Sequence, residues 1–241
     1  MNWPGLPLAT GTVLGRRNRF TVGVRVEGRG AQEVAVHLPN SGRLAELLEP
    51  GLPCHVRPAA PTAGARAVPR RTAYDLVLVK YAGGLVCVDS RMPPHILREA
   101  AAAGLVPFLA GYSTIISEPV FHTPGTRFDL RLERPGGVVW VETKSCTLVR
   151  DGVAMFPDAP TARGVRHLDE LCLAVAGGEG AAIVFVVQRE DAAAFTPNIA
   201  TDPEFAAHLR TARAAGVHVA AWDCRVSPEG ITLRQELPVI L

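Results

Sequence analysis

The stretch from residue 127 to residue 144, RFDLRLERPGGVVWVETK, restricts what this chain can fold into more than any other. Phe128, Leu130 and Leu132 alternate with Asp129, Arg131 and Glu133, the period of two of a strand with one buried face. The second half, VVWVETK, is β-branched and aromatic, and Arg134-Pro135-Gly136-Gly137 between the halves reads as a turn. If the loop is symmetric, Glu133 faces Val138 and, by the same register, Asp129 faces Glu142. Directly opposed residues on one face have Cβ atoms about 4.5 to 5.5 Å apart. Two like charges so placed destabilise a hairpin unless a cation lies between them.

A divalent metal is the cation that two carboxylates with open positions suit, Mg²⁺ or Mn²⁺ by preference, because such ions keep waters and take substrate phosphate oxygens. Lys144 projects from the same face as Glu142, where an ammonium orients an attacking water and offsets charge building on a phosphate. Among 25 Lys plus Arg, only Lys80 and Lys144 are lysine, and a compact ammonium is not interchangeable with a guanidinium fork. The competing reading of Asp129, Glu142 and Lys144 is a solvated sheet face with an ordinary ion pair, and a bulge in the hairpin would favour it.

The chain of 241 residues is long enough for one or two domains with a sizeable core. It contains no apolar run of membrane-spanning length and no secretory pattern at its start, which predicts a cytoplasmic protein without a membrane partner. Five scattered cysteines without a C-x-x-C pair predict reduced thiols rather than a zinc or iron-sulfur site. Residues 1–90 hold eleven basic against six acidic side chains, although the whole chain is only +2. That asymmetry fits a phosphate-gripping first part joined to a metal-collecting second part, and equally fits plain solubility. Arg16, Arg17, Arg19 and Arg43 are the candidate nucleic-acid contacts in the basic part.

Along the chain, two strands meeting near Arg17-Asn18 and a third at EVAVHLP are followed by RLAELLEPG, read as a short capped helix. PCHVRP, TAYDLVLVKY and LVCVDS supply further strands, and residues 58–70 read as a loop. Three strands, a helix and more strands is the order of an OB-type barrel, a fold often used for single strands. After a boundary at Ser90 to Pro94, a helix carries Glu99 near its middle. The strand STIISEPVFH then reaches the core hairpin through residues 123–126, and a symmetric loop there sets Glu118 opposite Arg131. Glu99 and Glu118 are the candidates for an additional metal ligand, Glu118 being the better salt-bridge partner. Thr161 caps a helix with the apolar stripe Val165, Leu168, Leu171, Cys172 and Val175. Arg163 and His167, four apart and off that stripe, either touch a phosphate or lie on a solvated face, the commoner outcome. AAIVFVVQ reads as a strand covered on both faces, followed by a helix from about residue 203 to 215, a parallel strand and an edge strand at the end.

HLPNSGRLAELLEPG, RRTAYDLVLVKY, VDSRMPPHILREA, RFDLRLE, VETKSCTLVRDGVAMFPDAPTARGVRHLDEL and FTPN with DPEFAAHLRTARAAGV resemble the sugar fermentation stimulation protein (SfsA) family over nearly the whole chain. The resemblance implies an α/β (α+β) protein that binds DNA. Its residues 1–90 would form an OB-like barrel and 91–241 a domain similar to the PD-(D/E)XK nucleases with a mixed sheet. Carried over by motif, Asp129, Glu142 and Lys144 fall on the nuclease core, with ETK in place of the commoner EVK. Two functions follow as expectations: a Mg²⁺- or Mn²⁺-dependent nuclease, or a non-catalytic DNA-binding regulator of sugar metabolism genes on a nuclease-derived scaffold. Strandedness, specificity and oligomeric state stay open.

Overall fold

The computed structural model describes residues 1, 3, 7–59, 71–123 and 125–241. The rest, including Arg66, Arg70, most of the loop read at 58–70 and Pro124, lie outside the described residues. The first sheet contains β1 (Ala9–Asn18), β2 (Thr21–Val26), β3 (Val34–His37), β4 (Pro53–Pro58), β5 (Tyr74–Tyr81) and β6 (Gly84–Cys87) in the order β3-β2-β1-β4-β5-β6. A parallel bridge between His37 and Asp75 joins β3 to β5 and closes five of these strands into the expected OB-like barrel. Val13, Val22, Val24, Val36, Val56 and Leu76 fill its interior.

The residues read as a helix between β3 and β4 form turns instead. Leu44 adopts a φ of 48°, outside any right-handed helix. Its N–H, which a helix would leave for a side-chain cap, is donated to Asp158 Oδ2 at 3.2 Å. Leu44, Leu47 and Leu48 still bury themselves in the barrel, and the tertiary bond sets the backbone between them.

After α1 (Met92–Ala102) and a 3-10 turn at Pro107–Leu109, the second sheet comprises β7 (Thr114–Ser117), β8 (Leu130–Arg134), β9 (Gly137–Cys146), β12 (Gly180–Val187), β14 (His218–Val226) and β15 (Ile231–Leu237). Its order is β15-β14-β12-β9-β8-β7, with β9, β12 and β14 parallel and the outer pairs antiparallel, so the sheet is mixed. Between β9 and β12 come β10 (Leu148–Arg150), β11 (Val153–Phe156) and α2 (Ala162–Ala176). β13 (Ala194–Pro197), followed by α3 (Pro203–Ala214), joins β10 and β11 in a small third sheet that the sequence pattern did not disclose.

β12 is buried on both faces, as its unbroken apolar run requires. Ala182, Val184 and Val186 pack with α1 and with Val77, Leu78 and Cys87 of the barrel, while Ala181, Ile183, Phe185 and Val187 pack with α2 and α3. Met1 and Trp3 also belong to the second sheet's surroundings, because the Met1 ammonium donates to Ile231 O at 3.0 Å and Trp3 Nε1 to Ser227 O at 2.9 Å. All five cysteines are free, and burial pushes the Cys54, Cys87 and Cys146 thiols up to about 12, which leaves them unreactive. Among the described residues no helix is long and apolar enough to cross a membrane.

The core hairpin keeps the expected register, with Glu133 opposite Val138 and Leu130 opposite Val141. Its turn is tighter than four residues: Arg134 pairs with Gly137, and Gly136 takes the positive φ of 80° that a Pro-Gly turn requires. The neighbouring register is displaced. Ile116, not Glu118, faces Arg131, because the connection is longer than the expected four residues: the last bridge pairs Val120 with Arg127 in the same register as β7 with β8, so the loop begins at Phe121.

The contact between the barrel and the loop around Asp158 generates a test. A Cβ on Gly42 would meet the two Asp158 carboxylate oxygens at 2.5 and 2.7 Å, so an alanine there must push away the group that accepts the Leu44 N–H. Gly42→Ala should lower the free energy of unfolding by about 1.5 to 3 kcal/mol, the scale of one hydrogen bond to a charged group, measured by urea denaturation.

Candidate metal and phosphate site

The hairpin register sets the two carboxylates at the end of β8 and the middle of β9. The antiparallel ladder stops at Leu130 and Val141, one pair short of Asp129 and Glu142. Past that end the Thr143 N–H has no β8 carbonyl to meet, and Asp129 Oδ2 accepts it at 2.7 Å together with the Thr143 hydroxyl at 2.5 Å. Asp129 thus closes the ladder with its side chain, leaving Oδ1 without a protein donor among the described residues.

Glu142 is 4% exposed. Its Oε1 accepts from Lys144 Nζ at 2.6 Å and lies 2.5 Å from His167 Nδ1. Its Oε2 is buried and has no hydrogen-bond partner. An orphaned anionic oxygen in such a place costs free energy unless something cationic meets it.

The charges respond accordingly. Burial alone would raise the Glu142 carboxyl, but Lys144 and His167 outweigh it and hold the group below its ordinary value. Asp129 is pushed up, first by burial and then by the Glu142 charge, against the opposing help of the Thr143 donors and Lys144. One carboxylate is well served and its neighbour is strained, an imbalance that a divalent cation between them would correct. Oxygen donors of this kind fit Mg²⁺, Mn²⁺ or Ca²⁺.

Both carboxylates, Thr143, Lys144 and Ser145 line a cleft of about 660 Å³. Its other walls are Arg19, Asn40, Ser41 and Gly42 of the barrel, Ser90 before α1, Pro94 in its first turn, and residues 156–163 leading into α2. Thr161 caps α2 as expected, its hydroxyl accepting the Gly164 N–H at 3.0 Å.

Of the candidate phosphate contacts, Arg19 and Arg163 line the cleft and Arg43 is exposed. Arg16 is committed elsewhere: it donates to the carbonyls of Asn18, Arg19, Gly42 and Arg43 at 2.6 to 3.1 Å. Arg17 is held by Glu33, with one bond of 2.6 Å. Glu99 pairs with the Met1 ammonium at 3.1 Å and lines a separate cavity with Ile231 and Leu233. Glu118 is exposed, and only its backbone N–H, donated to Asp129 O at 2.9 Å, touches the site. Neither lines the cleft, and among the described residues no group of three or more His, Cys, Asp and Glu side chains could hold a metal.

His167 does not lie on a solvated face. It is 2% exposed and in contact with Glu142, while Arg163 Nε donates to its Nε2 at 3.2 Å. The apolar stripe alone mispredicted it because α2 is covered on more than one flank, by the sheet and by α3, so that Gly164, His167 and Glu170 are buried as well as Val165, Leu168 and Leu171. The usable signal was chemical: a histidine and an arginine one turn apart beside a buried carboxylate pair.

Residues 91–230 match the sugar fermentation stimulation protein RE domain, and residues 14–88 match the SfsA N-terminal OB domain. The sugar fermentation stimulation protein homolog of Moorella thermoacetica is 42% identical over 227 residues, covering 94% of this chain and 94% of its own. That of Symbiobacterium thermophilum is 43% identical over 244 residues, covering 95% and 94%. The structure of Pyrococcus furiosus SfsA in complex with Ca²⁺ superposes with a TM-score of 0.86 at 31% identity, covering all of this chain and 98% of that one.

The opposite displacements of the two carboxyls give opposite stability signatures in metal-free protein. Asp129 has a raised folded value, so its native state binds more protons, and its charge opposes folding above that value. Asp129→Asn, which keeps an acceptor for Thr143, should raise Tm at pH 7. Glu142 has a lowered folded value, so its contribution is present above the unfolded value and fades as pH falls through the folded one. Glu142→Gln should lower Tm at pH 7, and this deficit should shrink in acid. Calorimetric scans from pH 3 to 7 check both signs.

Proposed function

The chain belongs to the sugar fermentation stimulation protein (SfsA) family, and we propose that it is a divalent-metal-dependent nuclease that hydrolyses phosphodiester bonds in DNA. The observation that carries this reading is the orphaned Glu142 Oε2 beside a strained Asp129 on the floor of a cleft that also holds Lys144. A 31% identical relative in complex with Ca²⁺ supports an oxygen-ligated cation.

In this reading Asp129 Oδ1 and Glu142 Oε2 would hold Mg²⁺ or Mn²⁺. Such an ion, when bound, polarises a phosphoryl oxygen and acidifies a coordinated water. The chain's own residues do the rest. Glu142 Oε1 fixes the Lys144 ammonium at 2.6 Å, so that its remaining hydrogens orient an attacking water and offset charge accumulating on the phosphate. Arg19 and Arg163 on the cleft walls take neighbouring phosphates. Thr143 keeps Asp129 from rotating away. The five free thiols suit the cytoplasm, where such DNA would be met.

A second reading, a DNA-binding regulator on the same scaffold, is favoured by one observation. Lys144 already neutralises part of the Glu142 charge, and no third acidic or imidazole ligand joins the pair among the described residues.

Labelled single- and double-stranded DNA incubated with Mg²⁺, Mn²⁺ or EDTA separates the two. Metal-dependent cleavage is expected, silent in EDTA. Lys144→Ala should retain most DNA binding while cleavage falls by about 10² to 10³, the effect of removing one electrostatic stabiliser. Asp129→Ala should lose metal binding as well. Binding without cleavage under every metal condition would leave the regulator.

A further inference from the structure

We propose that His167 is a positioning residue for Glu142, held in a single tautomer by Arg163. The inference rests on the reading of Glu142 as a metal ligand.

An arginine Nε always carries hydrogen and only donates. Because Arg163 Nε donates to His167 Nε2 at 3.2 Å, that ring nitrogen must present its lone pair. The ring hydrogen is then on Nδ1, which faces Glu142 Oε1 at 2.5 Å and donates to it. The contact of Lys144 Nζ with His167 Nδ1, at 3.5 Å, is consequently not a hydrogen bond but the approach of two donors to the same oxygen. The ring has little room to turn: His167 is 2% exposed, and Phe128 meets it edge-on with centroids 6.0 Å apart at 78°.

Two donors on Oε1 fix the carboxylate plane, and Oε2 is left as the oxygen available to a cation. This is the familiar chemistry of outer partners that orient a ligating group, with one difference in direction: the imidazole here orients a carboxylate instead of being oriented by one. Arg163 sits at the cleft wall and His167 one helical turn deeper, so the entry of α2 carries the whole chain of donors from Arg163 through His167 to Glu142. With the opposite tautomer the Nδ1 lone pair would face the Glu142 carboxylate and repel it.

Two measurements test this. Nitrogen-15 spectra of histidine-labelled protein should show His167 as the Nδ1–H tautomer, and Arg163→Met, which removes the donor to Nε2, should introduce the Nε2–H form. Calorimetric titration with Mn²⁺ should show affinity about 10- to 100-fold weaker in His167→Leu, the range for losing such a partner. His167→Asn, whose amide N–H occupies roughly the Nδ1 position, should recover most of that loss. An Nε2–H or doubly protonated ring in the wild type overturns the proposal, and so does wild-type affinity in His167→Leu. Equal loss in the Leu and Asn variants assigns His167 to packing alone and overturns it too. If His167→Leu does not fold, the wild-type tautomer, Arg163→Met and His167→Asn decide. Absence of Mn²⁺ binding to the wild type at millimolar metal defeats the metal reading and this inference together, whereas wild-type binding with unaffected variants defeats only the inference.

Discussion

A carboxylate taken out of water must be met by donors, and the architecture around Glu142 follows from that requirement. Glu142 lies on β9, the strand flanked by β8 on one side and β12 on the other, where burial strips an anion of most of its hydration. The strand itself supplies Lys144 two residues on, on the same face. The second donor has to come from outside the sheet, and α2 brings His167 into contact. The docking of α2 is therefore constrained by polar chemistry as well as by Val165, Leu168 and Leu171. These donors more than offset desolvation at Glu142, but nothing equivalent is provided at Asp129, whose strain persists. Folding alone would have no use for that asymmetry.

The same strand also secures the barrel above the site. Ser145 Oγ donates to Gln188 Oε1 at 2.9 Å, and Gln188 Nε2 donates to the carbonyls of Cys87 and Asp89 at 2.9 and 3.2 Å. Asp89, fully buried, is gripped by Arg91 at 2.7 Å and Arg57 at 3.4 Å. A buried pair of this kind adds little net stability, but breaking it strands a charge, so it specifies one arrangement of barrel and sheet. Together with the bond from Leu44 N–H to Asp158, it keeps Arg19 and residues 40–42 facing the carboxylates. The cleft is thus a joint product of both parts of the chain.

What could be read from the sequence was whatever depended on local alternation. The hairpin register, the doubly buried β12, the capped α2 and the barrel strands all declare themselves through periods of two or of 3.6 residues and through Pro-Gly punctuation. The features that escaped depend on partners distant in sequence. RLAELLEPG carries helix-forming residues, yet a bond to Asp158 holds Leu44 in a left-handed conformation. The β7 register failed because the loop starts at Phe121, after the Val120–Arg127 bridge, two residues earlier than the Pro-Gly punctuation suggests. At the site, Asp129, Glu142 and Lys144 were legible as a spacing, while His167 was not, since its burial is decided by what covers the second flank of α2.

The arginines show a related limit to counting charges. Eleven basic residues in the first 90 suggest a strong phosphate grip, but a guanidinium whose donors already hold carbonyls has none left for a ligand. Arg16 is such a case: it braces the β1–β2 turn against residues 42 and 43 and so shapes the wall of the cleft instead of lining it. Arg17 is similarly spent on Glu33. Their charges still add to the long-range field of the molecule, but the cationic side chains that line the cleft are Arg19 and Arg163, beside Lys144. Against those three cations the cleft sets Asp129, Glu142 and Asp158, a formal balance of zero. A polyanionic substrate would gain little from entering such a cleft without additional positive charge, and under the proposed reading a divalent ion at the carboxylate pair would supply that charge at the point where a phosphate would have to sit.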